Sequence, residues 1–183
     1  MFERQALTAM SIIDCHRRCS YASEMHPNIV RNFQRAVRLQ QSGKLEAAAK
    51  ACQQVINKVP EEPDPLQLLG LIRKRQGRLD EAERLLRASI KQAPNRPEFY
   101  ANLGNLLSNL GRYSDAERTY RQALALNDGF RPARLGLARV LNEAGIFDAA
   151  ERELSKLLTT NPNDAEALVA LGVALGGQSR FAE

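Results

Sequence analysis

The sequence predicts an all-α protein, an α-solenoid in which antiparallel helix hairpins stack on one another. Three observations predict it. Similar residues recur every 34 residues, each copy contains two segments with helical apolar spacing, and a turn residue separates the two segments. The four copies read SGKLEAAAKAC from Ser42, QGRLDEAERLL from Gln76, LGRYSDAERTY from Leu110 and AGIFDAAEREL from Ala144.

The period divides the chain into a leader and a repeat domain. Residues 1–28 do not fit the repeat, and Phe2, Ala6, Ala9, Met10 and Ile13 predict a short amphipathic helix there. Met25 is an alternative start, in which case this leader is not part of the protein. The repeat domain, 29–183, contains units at 29–62, 63–96, 97–130 and 131–164, with a partial fifth at 165–183.

Each unit is predicted to be a helix, a turn and a second helix. In the third unit Tyr100, Leu103 and Leu107 share one helical face, and Gly111 ends that helix. The face of the second helix follows: Tyr113, Ala116, Tyr120, Ala123 and Leu124. The second helix then ends at Asn127-Asp128-Gly129, whereas the other complete units end at Pro60, Pro94 and Pro162. Proline cannot continue a helix because it has no N–H group.

Four columns of residues recur through the units. Small residues lie in the first helix (Ala36, Gly70, Gly104, Ala138, Gly172), glycine lies in the turn (Gly43, Gly77, Gly111, Gly145), and alanine lies in the second helix (Ala48, Ala82, Ala116, Ala150). The fourth column is the proline that follows the second helix, at Pro60, Pro94 and Pro162. With these columns the chain resembles the tetratricopeptide repeat family from residue 29 to 183. The resemblance implies close-packed hairpins with Leu69, Leu86, Leu103, Tyr120, Leu137 and Leu154 between them.

The end units depart from the pattern. The first unit has polar Asn32 and Arg35 at apolar positions, as expected where one face of a terminal repeat meets water. At the other end, the first helix at 165–177 has apolar residues and no partner helix after it. We therefore expect either a fragment of a longer protein or a stack completed by another subunit, including self-association through 165–177.

The composition argues against a membrane-spanning, secreted or disulfide-bonded protein. Hydrophobic residues make up 44% of the chain, and no apolar run approaches the length of a membrane span. The net charge of +5 is mild. The cysteines, Cys15, Cys19 and Cys52, form no disulfide framework, and the start does not resemble a secretory signal. We expect a cytoplasmic protein that contacts neither a membrane nor a nucleic acid.

Two clusters suggest chemistry, and both have a simpler interpretation. Asp80-Glu81-Ala82-Glu83 resembles an acidic metal box, but no glycine-rich phosphate loop accompanies it, and acids at a helix start interact favourably with the helix dipole. Cys15-His16-Arg17-Arg18-Cys19 with His26 matches no zinc spacing, and its arginines disfavour a cation. Both histidines lie outside the repeats. We predict no catalytic site, metal or cofactor.

The inner, concave surface is the remaining candidate site. By resemblance, the first helices line it, and amides and cations there would bind an extended peptide. The predicted partner-binding residues are Phe33, Val37, Gln67, Leu71, Lys74, Arg75, Asn102, Asn105, Asn109, Leu135, Arg139 and Asn142. Two subtypes of the family are disfavoured. Of the residues that clamp a terminal carboxylate in the chaperone-binding subtype only Asn102 matches, and the asparagine ladder of glycosyltransferase-linked repeats is absent.

The predicted function is therefore a protein-interaction scaffold that binds a peptide or partner protein. The alternative is an accessory, substrate-recruiting domain of a larger transferase or oxygenase. RNA binding is disfavoured because the polar columns do not recur as a base-reading code requires.

Overall fold

The computed structural model describes residues 27–178, and within them the chain forms nine α-helices and no strand. This confirms the predicted all-α solenoid. The predicted helix in the leader and the cluster around Cys15 and His26 lie outside the described residues. The helices are α1 (Pro27–Gln41), α2 (Leu45–Ile56), α3 (Pro63–Arg75), α4 (Leu79–Gln92), α5 (Pro97–Asn109), α6 (Tyr113–Leu126), α7 (Arg131–Glu143), α8 (Phe147–Thr160) and α9 (Ala165–Gly177).

Odd-numbered helices are the first helices of the repeats, and a glycine turn leads from each of the first four to its partner. In the second unit Gly77 has a φ of +76°, a conformation that side-chain-bearing residues rarely adopt. Its N–H donates to the Lys74 carbonyl (3.1 Å), and the next N–H, of Arg78, donates back to Arg73 (2.9 Å). These bonds satisfy carbonyls at the end of α3, so the chain reverses without leaving them unpaired.

Small residues let the two helices of a hairpin approach closely. A Cβ atom placed on Gly70 would lie 2.9 Å from Leu86, and one on Gly104 would lie 2.7 Å from the Tyr120 ring. The next unit approaches the same ring, since a Cβ on Gly136 would lie 2.5 Å from it. Tyr120 is therefore held between its own hairpin and the following one.

The core consists of the residues that the repeat columns predict. Leu86, Leu154 and Cys52 are fully buried, and Leu69, Leu103 and Leu137 are 2–3% exposed. Burial raises the pKa of the Cys52 thiol to about 12. Because only a thiolate is a good nucleophile, Cys52 is a packing residue.

The stack curves, and its first helices lie on the inner side. Each first helix contacts the next, from α1 with α3 to α7 with α9. No such contact joins α2, α4, α6 and α8 to one another within residues 27–178. Helices that touch along one side and separate along the other form an arc, so the first helices line the concave face.

The third unit lacks the closing proline, and a buried arginine holds its turn instead. Arg134 is only 5% exposed. Its guanidinium donates to the backbone carbonyl of Asp128 (2.6 Å) and to the carboxylates of Asp128 and Glu153. Buried charge is tolerated where such pairing is complete. The equivalent residues of the second, third and fifth units are Leu66, Tyr100 and Leu168, and that of the first unit is Asn32.

An acidic cap fixes the start of α9. Asp164 is 5% exposed, and its carboxylate accepts a hydrogen bond from the Ala167 N–H (3.2 Å). Arg131 donates two hydrogen bonds to the same carboxylate, at 2.6 and 2.7 Å. The hydrogen bonds from Arg131 are the main reason that the pKa of Asp164 lies below its ordinary value.

The exposed surface of α9 is apolar. Leu168 is 47% exposed, Val169 71% and Val173 55%. Within the described residues α9 contacts only α7 and α8. The predicted self-association through 165–177 depends on this surface and stays a prediction. None of the described helices has the length and apolar character needed to cross a membrane.

The close approach at Gly104 can be tested against a glycine in the same column. Gly104→Ala is expected to lower the free energy of unfolding by about 1–3 kcal/mol, because its methyl group would overlap the Tyr120 ring. Gly172→Ala places its methyl group where no atom lies within 4 Å, so helix propensity should raise stability by about 0.5–1 kcal/mol. Urea unfolding measures both. Equal effects would contradict the close-packing argument.

The Asp164–Arg131 pair predicts how the stability of the protein changes at acidic pH. Asparagine caps a helix as well as aspartate, so Asp164→Asn keeps the cap and removes the charge together with the acceptor of one Arg131 hydrogen bond. Water screens half-exposed Arg131, and we expect a loss of about 1 kcal/mol at neutral pH. Because the pKa of Asp164 is depressed, this contribution is present above the ordinary carboxyl pKa and disappears as pH falls through the folded value.

Urea unfolding between about pH 7 and about pH 3 measures the difference between Asp164→Asn and the unmodified chain. Exposed Asp148→Asn, in the first turn of α8, is the control and should change stability by less than about 0.5 kcal/mol. A difference that stayed constant across this pH range would show that the charge of Asp164 contributes nothing.

Candidate functional site

The inner surface has a central column of residues that repeats every 34 positions. We call the surface that this column and its neighbours on the first helices line the inner groove. The column combines apolar, amide and cationic side chains, and Asn105, Arg139 and Val173 are its exposed members. It consists of Val37, Leu71, Asn105, Arg139 and Val173.

The structure places ten of the predicted binding residues on first helices with side chains at least partly exposed. The other two, Gln67 and Leu135, are buried, at 6% and 8% exposure. The Gln67 carbonyl oxygen accepts a hydrogen bond from Ser89 (2.7 Å), and Leu135 packs against Leu154 and Ala170. Both side chains are largely covered, Gln67 within its hairpin and Leu135 among α7, α8 and α9, so they offer little surface to a ligand, and their role in binding stays a prediction.

A hydrogen-bond network joins the second and third units across the groove. With the Asn109 amide oriented to satisfy both of its ends, its nitrogen donates to the Asn105 backbone carbonyl (3.1 Å). Its oxygen accepts from the Lys74 ammonium (3.2 Å). These residues therefore fix the groove wall, and they offer fewer free donors and acceptors to a ligand than the sequence alone predicts.

Two further bonds join neighbouring first helices. The Arg75 guanidinium donates to the backbone carbonyl of Gln40 (3.1 Å), which connects α3 to α1. The Asn142 amide donates to the backbone carbonyl of Ala170 (2.9 Å), which connects α7 to α9. Side chains that bond to the backbone of the next helix hold the spacing of the repeats.

Tyr120 brings a hydroxyl from the hairpin core to the centre of the groove. Its ring is buried, and its hydroxyl donates to the Asn105 side-chain oxygen (2.7 Å). Burial raises the pKa of Tyr120 well above its ordinary value, and the positive charge of Arg139 opposes that rise. The phenol therefore stays protonated and orients the Asn105 amide. Sequence analysis placed Tyr120 only in the core.

Arg139 is an exposed cation in the central column of the groove. Among the described residues no carboxylate pairs with its exposed guanidinium. By contrast, Arg78, Arg87 and Arg112 all form ion pairs on the outer surface. A guanidinium beside an oriented amide can bind a carboxylate with two parallel hydrogen bonds.

The acidic stretch that begins at Asp80 is structural. Glu83 accepts hydrogen bonds from Arg87 and from Arg112 of the next unit, and Glu81 pairs with Arg78. Among the described residues no three histidine, cysteine or acidic side chains come together as metal ligands would.

The surface suits an extended ligand better than a small molecule. Two open depressions lie away from the groove, one beside Ile146 and Phe147 and the other along α8. Neither encloses a volume of the kind that buries a small ligand. The groove is instead long and open, with exposed Val169 and Val173 near one end and partly buried Phe33 and Val37 near the other.

Comparison with known proteins agrees with this architecture. A family model described as "Tetratricopeptide repeat" matches residues 39–106 and 107–172. The structure resembles a crystal structure of MamA, with 21% identity, a TM-score of 0.74 and 85% of each chain covered. It also resembles YrrB, described as a TPR protein with an unusual peptide-binding site, with 18% identity, a TM-score of 0.69, and 82% of this chain and 77% of that chain covered.

A third similar structure is an O-GlcNAc transferase mutant of Thermobaculum terrenum, with 26% identity and a TM-score of 0.68. The alignment covers 72% of this chain and 26% of the transferase. No curated protein sequence matches the chain.

The Tyr120–Asn105 bond yields a testable prediction. Tyr120→Phe should lower the free energy of unfolding by about 0.5–1.5 kcal/mol, because the Asn105 oxygen loses its donor. Tyr113→Phe is the matched control, since the described residues give the Tyr113 hydroxyl no hydrogen bond, and it should leave stability unchanged within error. Urea unfolding measures both, and losses of equal size would mean that the bond contributes nothing.

Proposed function

Because the chain belongs to the tetratricopeptide repeat family, we propose that it is a protein-interaction module that binds an extended peptide segment of a partner protein along the inner groove. The observation that carries this proposal is the exposed guanidinium of Arg139, without a carboxylate partner among residues 27–178, one unit after Asn105 in the central column of the groove.

The centre of the groove favours a ligand with an acidic residue. Arg139 would donate to the ligand carboxylate. The Asn105 oxygen is occupied by Tyr120, which leaves the Asn105 amide nitrogen to donate to a ligand carbonyl. The nearby Asn102 amide forms no hydrogen bond within the described residues and would supply both a donor and an acceptor.

Apolar side chains of the groove favour apolar ligand residues on both sides of that acid. Leu71 lies two units before Arg139 in the column, and exposed Val173 lies one unit after it. Packed helices lie about 8–10 Å apart, and an extended peptide advances about 3.3 Å per residue. About three ligand residues therefore correspond to one unit of the stack.

The YrrB comparison gives limited support. YrrB is described as having a peptide-binding site, and at 18% identity it shares a fold with this chain. The proposal therefore depends on the groove residues of this chain and not on that resemblance.

A peptide-display selection tests the proposal. Random peptides are selected on the full chain, and the affinities of the selected peptides are then measured by fluorescence anisotropy. Arg139→Glu should weaken them by at least about tenfold, because a favourable charge pair becomes a repulsion. Arg152→Glu, an equal charge reversal on the outer face of α8, should change them by less than about twofold.

Selected peptides should also contain an acidic residue between apolar ones. Peptides that tolerate Arg139→Glu but lose affinity with Arg152→Glu would place the binding site on the outer surface and contradict the proposal.

The second candidate is a recruiting domain within a larger transferase or oxygenase. The similarity to part of an O-GlcNAc transferase is the observation that favours it. Reading the gene beyond the codon for Glu183 distinguishes the two candidates, because a fused enzyme requires the reading frame to continue into a catalytic domain.

A further inference from the structure

The first helix presents three arginines in one row, on a face that no other helix within residues 27–178 covers. Arg31, Arg35 and Arg38 follow one another at helical spacing, and all three are exposed. We call these three residues the arginine stripe. No carboxylate among the described residues pairs with any of them.

The stripe occupies positions that are buried in the units that follow. The equivalent residues of α3, α5 and α7 are apolar or proline, and each of these helices contacts the second helix of the preceding unit. They are Pro65, Leu69 and Ile72 in α3, Phe99, Leu103 and Leu106 in α5, and Ala133, Leu137 and Val140 in α7. The arginine stripe is therefore the face on which the fold elsewhere seats a helix.

The surroundings of the stripe are strongly basic. Residues 27–58 contain six cations and a single acid, Glu46, which gives a net charge of +5, equal to that of the whole chain. The cations are Arg31, Arg35, Arg38, Lys44, Lys50 and Lys58. Elsewhere many surface arginines pair with carboxylates, as Arg118 does with Asp115 and Arg121 with Glu117. Solvation requires polar residues on this face, but it does not require that all charges have one sign.

We propose that the arginine stripe docks an acidic α-helix of another protein, seated as α2 is seated on α3. The stripe lies on the face where other units seat a helix, so its position favours a helical partner. Its positive charge favours a partner with negative charge. Carboxylates spaced by three and four residues along the partner helix would face the three guanidinium groups and bond to them with two hydrogen bonds each.

A second copy of this chain is a poorer match to the stripe. The only acid within its α9 is Glu166, and that carboxylate already pairs with Arg131 (2.7 Å). The rest of the exposed α9 surface is apolar. The arginine stripe is also distinct from the inner groove. The proposal for the stripe and the proposed function of the groove can therefore fail separately.

Binding of a designed peptide to the full chain tests the proposal. The probe is a fluorescent alanine-rich helix with glutamates along one face, and its affinity is measured by anisotropy at low salt. Replacing Arg31, Arg35 and Arg38 with glutamine should weaken binding by at least about tenfold, and added salt should weaken binding to the unmodified chain. The control replaces Arg84, Lys91 and Arg152, three exposed cations of second helices, with glutamine, and should change affinity by less than about twofold.

Three comparison probes test whether the stripe requires a helical partner and whether the partner is a protein, an RNA or a membrane. They are a glycine-interrupted peptide with the same glutamates, a single-stranded RNA, and vesicles of phosphatidylcholine and phosphatidylserine. The acidic helix should bind more tightly than the interrupted peptide, and only its binding should depend on the stripe. Amide chemical-shift changes confined to α1 and α2 of the unmodified chain would support the docking mode, whatever the stability of the variant.

Several results would overturn the proposal. The first two are no binding of the acidic helix, or equal affinities for the helical and the interrupted peptide. The third is an equal loss of helix affinity in the stripe variant and the control variant. The fourth is a stripe variant that loses affinity for RNA or vesicles but keeps its affinity for the helix.

Discussion

The close approach of two helices at a small residue is the constraint on which the rest of the structure depends. Where Gly104 lies, even a methyl group would overlap the Tyr120 ring, and a methyl group on Gly136 of the next unit would overlap the same ring. One large side chain thus sets both the separation within a hairpin and the separation between hairpins. Since packed interiors leave little free volume, these two spacings fix how the first helices stand beside one another.

The inner groove follows from that spacing. First helices that touch can bond to each other's backbone, and Arg75 and Asn142 do so across successive units. The Tyr120 hydroxyl extends the same packing to the surface of the groove, where it orients Asn105. A surface held by such bonds is preorganised, so little ordering of the protein is needed when a ligand binds.

The 34-residue period predicts the fold well because the residues of one column make the same helix–helix contact in each unit, so several positions support the same prediction. Single substitutions were harder to interpret. The sequence shows that Asp128 replaces a proline, but only the structure shows that Arg134 satisfies that turn. Column position predicts Gln67 and Leu135 as groove residues, yet both are buried, because the orientation of a helix decides whether a side chain at such a position faces the groove or the core. Column position predicts the helix face, and it does not predict which hydrogen bonds neighbouring side chains already form.

The turn held by Arg134 makes substitutions at two positions interdependent. Arg134 is buried and bonded to the Asp128 carbonyl and to Glu153, so an apolar residue there would leave the turn without its donor. Proline at position 128, as Pro94 and Pro162 are in the neighbouring units, would keep the carbonyl but remove one of the two carboxylates that pair with the guanidinium. The effects of substitutions at positions 128 and 134 on stability should therefore be non-additive, because each position sets the partner that the other meets.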